Sequence, residues 1–140
     1  MSSSKFSVSD CSIIHFPRIC NRAGNITALQ NNMDVPFAIK RVYYLYDVPT
    51  GQTRGAHAHK NLQQLIVATS GSFEVTLDDG ENRQAFQLNR PDYGLHIYPF
   101  IWCQLSNFSS GAICLVLASE PYNPDDYIRE YEKFKTMKSK

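Results

Sequence analysis

Long hydrophobic runs are absent from this sequence. Even the strongly apolar stretch from Ala112 to Ala118 falls far short of the roughly 20 residues a membrane-spanning helix needs, so no membrane span is expected. Neither sign of charge dominates. Fourteen Lys and Arg against thirteen Asp and Glu give a net charge of +1, which excludes the broad basic field that drives non-specific binding to nucleic acid or anionic lipid. An anionic ligand must therefore be held by a few local cations. Met1 to Asp10 is rich in Ser and has no apolar segment of the secretory type. The four cysteines, Cys11, Cys20, Cys103 and Cys114, form no C-x-x-C pair and are too sparse for a disulfide framework. Reduced thiols and a cytoplasmic location are expected. Charge is also scarce, at 19% of 140 residues against 43% hydrophobic, which argues against disorder and for a single domain spanning 1–140 with a real core. The segment of about residues 1–12 is expected to be flexible.

Helical periodicity is missing until the C-terminal end. Apolar residues come instead in short runs separated by Gly, Pro, Asp or Asn, which predicts an all-β fold. Phe37–Val48 is rich in β-branched and aromatic residues and ends at Pro49-Thr50-Gly51. Leu62–Thr69 closes at Ser70-Gly71. Phe73, Val75 and Leu77 alternate with polar residues before Asp78-Asp79-Gly80, and Phe86 and Leu88 alternate beyond it, the pattern of a hairpin with one wet face. Further strands are predicted at His96–Tyr98, Trp102–Phe108 and Ala112–Ser119. The Ala112–Ala118 run is apolar on both faces, so it is expected deep in a sandwich or at a subunit contact. Asn123-Pro124-Asp125-Asp126, followed by Lys133, Lys135 and Lys138, predicts one helix over 123–138. Short strands at this spacing form a sandwich, jelly roll or barrel, whose mouth is a common place for a small-molecule site.

His57-Ala58-His59 is the sharpest local feature. On an extended segment, residues i and i+2 point to one face with Cα atoms ~6.5 Å apart. Such a pair supplies either two metal ligands or two acid–base groups, since imidazole titrates near neutral pH. Two surface or capping histidines would show the same spacing.

Gly51, five residues, His57-x-His59, four residues, Gln64, six residues and Gly71 resembles the first motif of the cupin superfamily. The family's metal-binding Glu is here Gln63 or Gln64. The His expected in the second motif, along Tyr98-Pro99-Phe100-Ile101-Trp102-Cys103, is Cys103. With two of the four ligand positions altered, the pocket reads as built for metal-free chemistry. Longer strings narrow the likeness: Pro36-Phe37-x-Ile39-Lys40-Arg41-Val42-Tyr43-Tyr44, Arg54-Gly55-x-His57-Ala58-His59-Lys60, Leu77-Asp78-Asp79-Gly80, Val116-Leu117-Ala118-Ser119 and Asp126-Tyr127-Ile128-Arg129-x-Tyr131. In order and over roughly residues 13 to 135, they resemble the dTDP-4-keto-6-deoxyglucose 3,4-ketoisomerases. One departure is local. Where the family tends to show Asp-x-Arg-Gly, this chain has Asn21-Arg22-Ala23-Gly24-Asn25, with the Arg displaced.

The resemblance implies a cupin jelly roll, that is a double-stranded β-helix, with one C-terminal helix. It implies a homodimer exchanging an N-terminal strand, acting on a dTDP-linked keto-sugar with no metal or other cofactor. The product would feed deoxyaminosugar synthesis, including sugars of lipopolysaccharide O-antigen. Moving a carbonyl from C4 to C3 requires removal of the C3 proton, an enediol, and delivery of a proton to C4, for which two same-face histidines suffice. His59 is expected as the carbon base and His57 as its partner. Arg41 and Arg54 suit the diphosphate through bidentate contacts, and Lys60 adds a point charge. Tyr43 shares a face with Arg41 and can donate to the sugar, whereas Tyr44 and Tyr46 face the other way. Trp102 and Cys103 are candidate pocket residues. His15 and His96 read as ordinary histidines. The competing readings are a cupin sugar epimerase, a metal-dependent cupin oxygenase using His57, His59 and Cys103, and a non-catalytic sugar-binding cupin.

Overall fold

Asp79 organises the first turn of the fold. In the computed structural model, which describes residues 5–140, its Oδ1 accepts from the backbone N–H of Glu81 at 2.9 Å and of Asn82 at 2.7 Å. Those bonds satisfy the orphan donors of the Asp78-Asp79-Gly80 reversal. The strands it joins, β7 (Phe73–Asp78) and β8 (Arg83–Leu88), pair antiparallel as their alternation predicts. The same carboxylate reaches back through Oδ2 to the N–H of Val8 at 2.8 Å. Val8 and Cys11 are buried, and Phe6 stacks on Tyr98 with centroids 4.4 Å apart. From Phe6 onward, the segment expected to be flexible over about 1–12 is packed through apolar burial and a buried hydrogen bond; residues 1–4 lie outside the described residues.

The remaining elements are β1 (Ser12–His15), β2 (Ile19–Asn21), β3 (Gly24–Ile26), β4 (Arg41–Leu45), β5 (Arg54–His59), β6 (Gln64–Ser70), β9 (Tyr93–Ile97), β10 (Trp102–Ser106), β11 (Ile113–Ala118), β12 (Tyr127–Ile128) and α1 (Tyr131–Lys138). They form two five-stranded antiparallel sheets, in the orders β1-β9-β6-β11-β4 and β12-β5-β10-β7-β8, together with the two-stranded ribbon β2-β3. The sheets face one another across a core that includes Ile66, Phe73, Val75, Leu77, Leu95, Leu105 and Val116. As its apolar run predicted, β11 lies inside its sheet, between β6 and β4. The turn between β6 and β7 needs a glycine. At Gly71, φ is +67°, and a Cβ would lie 2.5 Å from Ser109 Oγ and 2.8 Å from the Ala112 Cα, so any side chain there is excluded.

The helix expected over 123–138 is divided. Asn123 caps a 3-10 turn, Pro124–Asp126, its Oδ1 accepting from the N–H of Asp125 at 3.0 Å. Tyr127 and Ile128 then pair with β5, and α1 starts only at Tyr131. The cap signals were real, but they start one short turn. An aromatic and a β-branched residue gain more from the sheet edge than from a helix. Pairing Tyr127 with His59 and Ile128 with Ala58 sends one side chain to each face. Ile128 joins Ala58, Phe100, Trp102 and Phe134 in an apolar cluster, which seats α1 against the outside of the second sheet.

Candidate active site

Strand alternation builds the site. On β5, Gly55, His57 and His59 point between the sheets while Ala58 points into the cluster beneath α1. Cys103 of β10 sits opposite His57, and Tyr127 of β12 sits opposite His59, so directly paired positions present these four side chains on one face. The facing sheet contributes Tyr43, Gln64 and Val116. Between them lies a cavity of about 340 Å3, with Arg54 and Arg129 in its lining.

The two imidazoles meet edge to face, with centroids 4.8 Å apart. His57 lines the cavity. His59 lies behind it at 3% exposure, covered by the Tyr127 ring at 4.4 Å, which also touches His57 at 4.9 Å. Neither ring nitrogen of His59 has a hydrogen-bond partner; its Nδ1 lies 3.4 Å from Asp126 Oδ2. Burial lowers both histidines to a pKa of about 4, with His59 and Arg129 adding to the effect at His57, and Arg41 and Arg129 adding to it at His59. Both imidazoles are thus neutral near pH 7 and free to accept a proton. Burial also raises the Tyr43 phenol, with Tyr127 contributing and Arg41 opposing, and raises the Cys103 thiol. Both remain protonated donors rather than anions.

The cations at this end are stacked on aromatic rings. Arg41 lies over Tyr43 at 4.4 Å and over Tyr122 at 4.9 Å, and its Nη1 donates to the Tyr127 hydroxyl at 3.5 Å. Arg129 lies over Tyr127 at 4.2 Å. These contacts hold the guanidinium groups on preformed platforms.

Of the residues expected from sequence, His57, Tyr43, Arg54 and Cys103 line the cavity, His59 backs it, and Arg41 acts at its edge through Tyr43 and Tyr127. Two of the expected residues lie outside the cavity lining. Trp102 neighbours Cys103 on one strand and must face away from it; it packs on Tyr131 at 5.3 Å and Phe134 at 5.7 Å, outside the cavity. Lys60 follows His59, is absent from the cavity lining, and serves through its backbone N–H, which donates to the Asp126 carbonyl at 2.9 Å. The choice between Gln63 and Gln64 is also resolved. Gln64 lines the cavity, whereas Gln63 Oε1 lies 2.8 Å from Nε2 of the buried His96. Sequence reading missed Tyr127, Arg129 and Asp126, whose alternation was hidden under the helix signals of the same segment. Among the described residues, no three His, Cys, Asp or Glu side chains are grouped to hold a metal ion.

Two facing antiparallel sheets with a ligand-sized mouth and an inward H-x-H pair define a cupin-type sugar isomerase or epimerase fold. The family model "FdtA: WxcM-like, C-terminal" matches residues 9–139, and the chain belongs to that family. The chain is 43% identical over 123 residues to the TDP-4-oxo-6-deoxy-alpha-D-glucose-3,4-oxoisomerase of Aneurinibacillus thermoaerophilus, with 88% of each chain covered. The crystal structure of a 3,4-ketoisomerase from Helicobacter canadensis superposes with a TM-score of 0.91 at 44% identity, over 94% of this chain and 98% of that one. QdtA, a sugar 3,4-ketoisomerase from Thermoanaerobacterium thermosaccharolyticum crystallised with TDP, gives 0.92 at 36% identity, over 95% and 97%.

Proposed function

We propose that this protein is a sugar-nucleotide 3,4-ketoisomerase. It converts dTDP-4-keto-6-deoxyglucose to a dTDP-3-keto-6-deoxyhexose by proton transfer among side chains, for deoxyaminosugar synthesis of the kind that supplies lipopolysaccharide O-antigen. The observation that carries the reading is the neutral His57–His59 pair at one wall of a hexose-sized cavity, in a chain whose relatives are 3,4-ketoisomerases and oxoisomerases. Arg54 and Arg129, with Arg41 at the edge, hold the diphosphate. His59 takes the C3 proton through Nε2, and the C3–H electron pair forms the enediol double bond as the C4 oxygen gains a proton. His57, on the cavity wall, passes protons between the two oxygens. The Tyr43 hydroxyl and Cys103 thiol are protonated donors toward the sugar. Delivery of a proton to C4 from the imidazole, after that proton has exchanged with solvent, leaves the ketone at C3.

Incubation with dTDP-4-keto-6-deoxyglucose in deuterated water is expected to give a 3-keto product carrying deuterium at C4. An unchanged C4 ketone with exchange at C3 or C5 would identify an epimerase instead, and the absence of both deuterium incorporation and 3-keto product would leave only sugar binding. The lowered histidine values set the pH dependence. The base must be neutral, so activity is lost on protonation. kcat/KM should stay level as pH falls through 6.5, the ordinary imidazole value, and decline only on approach to about 4. An acid limb centred near 6.5 in the pH–rate profile would contradict this.

The enzyme acts as a cytoplasmic homodimer. Two features support that assembly. Val42, Tyr44 and Tyr46 present an exposed apolar row along the edge strand β4, and the β2-β3 ribbon carries Ile19 and Ile26 more than 60% exposed. Strand β1 pairs with β9 of its own chain, and in the proposed dimer an N-terminal strand is exchanged with the second copy. The displaced Arg22 stands in the turn of the β2-β3 ribbon, which is not part of the cavity lining in its own chain.

A further inference from the structure

His59 poses a structural question that the proton-transfer scheme leaves open. A buried imidazole with both nitrogens unpartnered is costly, and in solution the neutral ring prefers no fixed place for its single proton strongly enough to define a base. A carboxylate oxygen, Asp126 Oδ2, lies 3.4 Å from Nδ1. Asp126 is itself buried and is held by two backbone donors, Asn61 N–H to Oδ1 at 2.8 Å and Leu62 N–H to Oδ2 at 3.3 Å. Its backbone is fixed by the adjoining Tyr127–His59 pairing. A carboxylate held by two backbone donors and 3.4 Å from one imidazole nitrogen is placed to orient the ring, and catalytic contacts of this kind are often long before substrate binds.

We propose that Asp126 is a positioning residue for the isomerase reaction, keeping the His59 proton on Nδ1 so that the Nε2 lone pair faces the sugar. The inference rests on the ketoisomerase reading and names the group that makes its base effective. In this proposal the Nδ1–H faces Asp126 Oδ2 across the 3.4 Å separation, which closes to a hydrogen bond when substrate binds. When Nε2 takes the C3 proton, the resulting imidazolium is stabilised by the same carboxylate, and a proton is then delivered from Nε2 to C4. The other charged or titratable groups around His59 are His57, Tyr127, Arg41 and Arg129. The arginines disfavour the imidazolium, leaving Asp126 as the one neighbouring group that favours it.

The test begins with the resting protein, labelled with 15N-histidine and read by long-range 1H–15N NMR near neutral pH. His59 should carry its proton on Nδ1, and Asp126→Asn should move it wholly or partly to Nε2. In the same variant, kcat for dTDP-4-keto-6-deoxyglucose should fall by at least about 10-fold with KM little changed. The acid limb of the pH–rate profile should move to lower pH, because a charge favouring the cation has gone. Asp126→Glu should recover part of kcat. A wild-type His59 protonated on Nε2 would overturn the proposal, even if the variant failed to fold. So would an Asp126→Asn enzyme changed only in KM or melting temperature. The tautomer is read without turnover, so failure of the ketoisomerase reading, seen in the deuterium experiment, is distinguishable from failure of this one.

Discussion

Replacing His59 by Asn is expected to lower turnover of the 4-keto sugar nucleotide by at least about 10²-fold, the usual contribution of a positioned general base, while affinity for dTDP changes little. Asn keeps polarity and approximate size but offers no nitrogen that can take up a proton. His59 also lies behind the cavity wall, under Tyr127 and beside His57. The effect therefore belongs in kcat, with the binding enthalpy and stoichiometry for dTDP preserved in calorimetry. Exchange of the C3 hydrogen with deuterated solvent should be lost in parallel with product formation. A variant that turned over normally at saturation and differed only in KM would make His59 a binding residue and return the role of base to His57.

The second large effect concerns stability. Phe134 is fully buried between Trp102, Tyr131, Ala58 and Ile128, on the side of β5 opposite the histidines. Phe134→Ala should destabilise the fold by about 3–5 kcal/mol, through lost transfer free energy and the cavity left behind. Denaturant titration followed by circular dichroism measures this directly. Leu at the same position should restore much of the loss. Ala58 and Ile128 are directly paired across β5 and β12, so the cluster clamps the short strand that carries Tyr127. Its loosening should therefore lower activity as well, in step with the unfolded fraction. A loss below about 1 kcal/mol would mean that α1 is an ornament on the sheet.

The fold was largely legible because most strands announce themselves by period. The β7–β8 hairpin could be read from Phe73, Val75 and Leu77 alternating up to Asp78-Asp79-Gly80, and β11 from its two apolar faces. The H-x-H spacing placed both imidazoles on the inner face. What escaped was decided by partners distant in sequence. Nothing local told Cys103 from Trp102 as the inward residue; the register of β10 against His57 did. Nothing local told the Tyr127–Ile128 pair that it would close a sheet edge rather than continue a helix, since Asn123-Pro124-Asp125-Asp126 begins both kinds of structure equally well. Lys60 looked like a phosphate ligand by adjacency, but one step along a strand reverses the face.

The distribution of thiols has a practical consequence. Cys11, Cys103 and Cys114 are enclosed and kept as poor nucleophiles by burial, whereas Cys20 stands open on the β2-β3 ribbon. An alkylating dye should select that one sulfur, marking the projecting arm while leaving the chemical centre untouched. The natural chain thus comes with its own handle for fluorescence energy transfer, and mixing donor- and acceptor-labelled protein would report whether two copies associate.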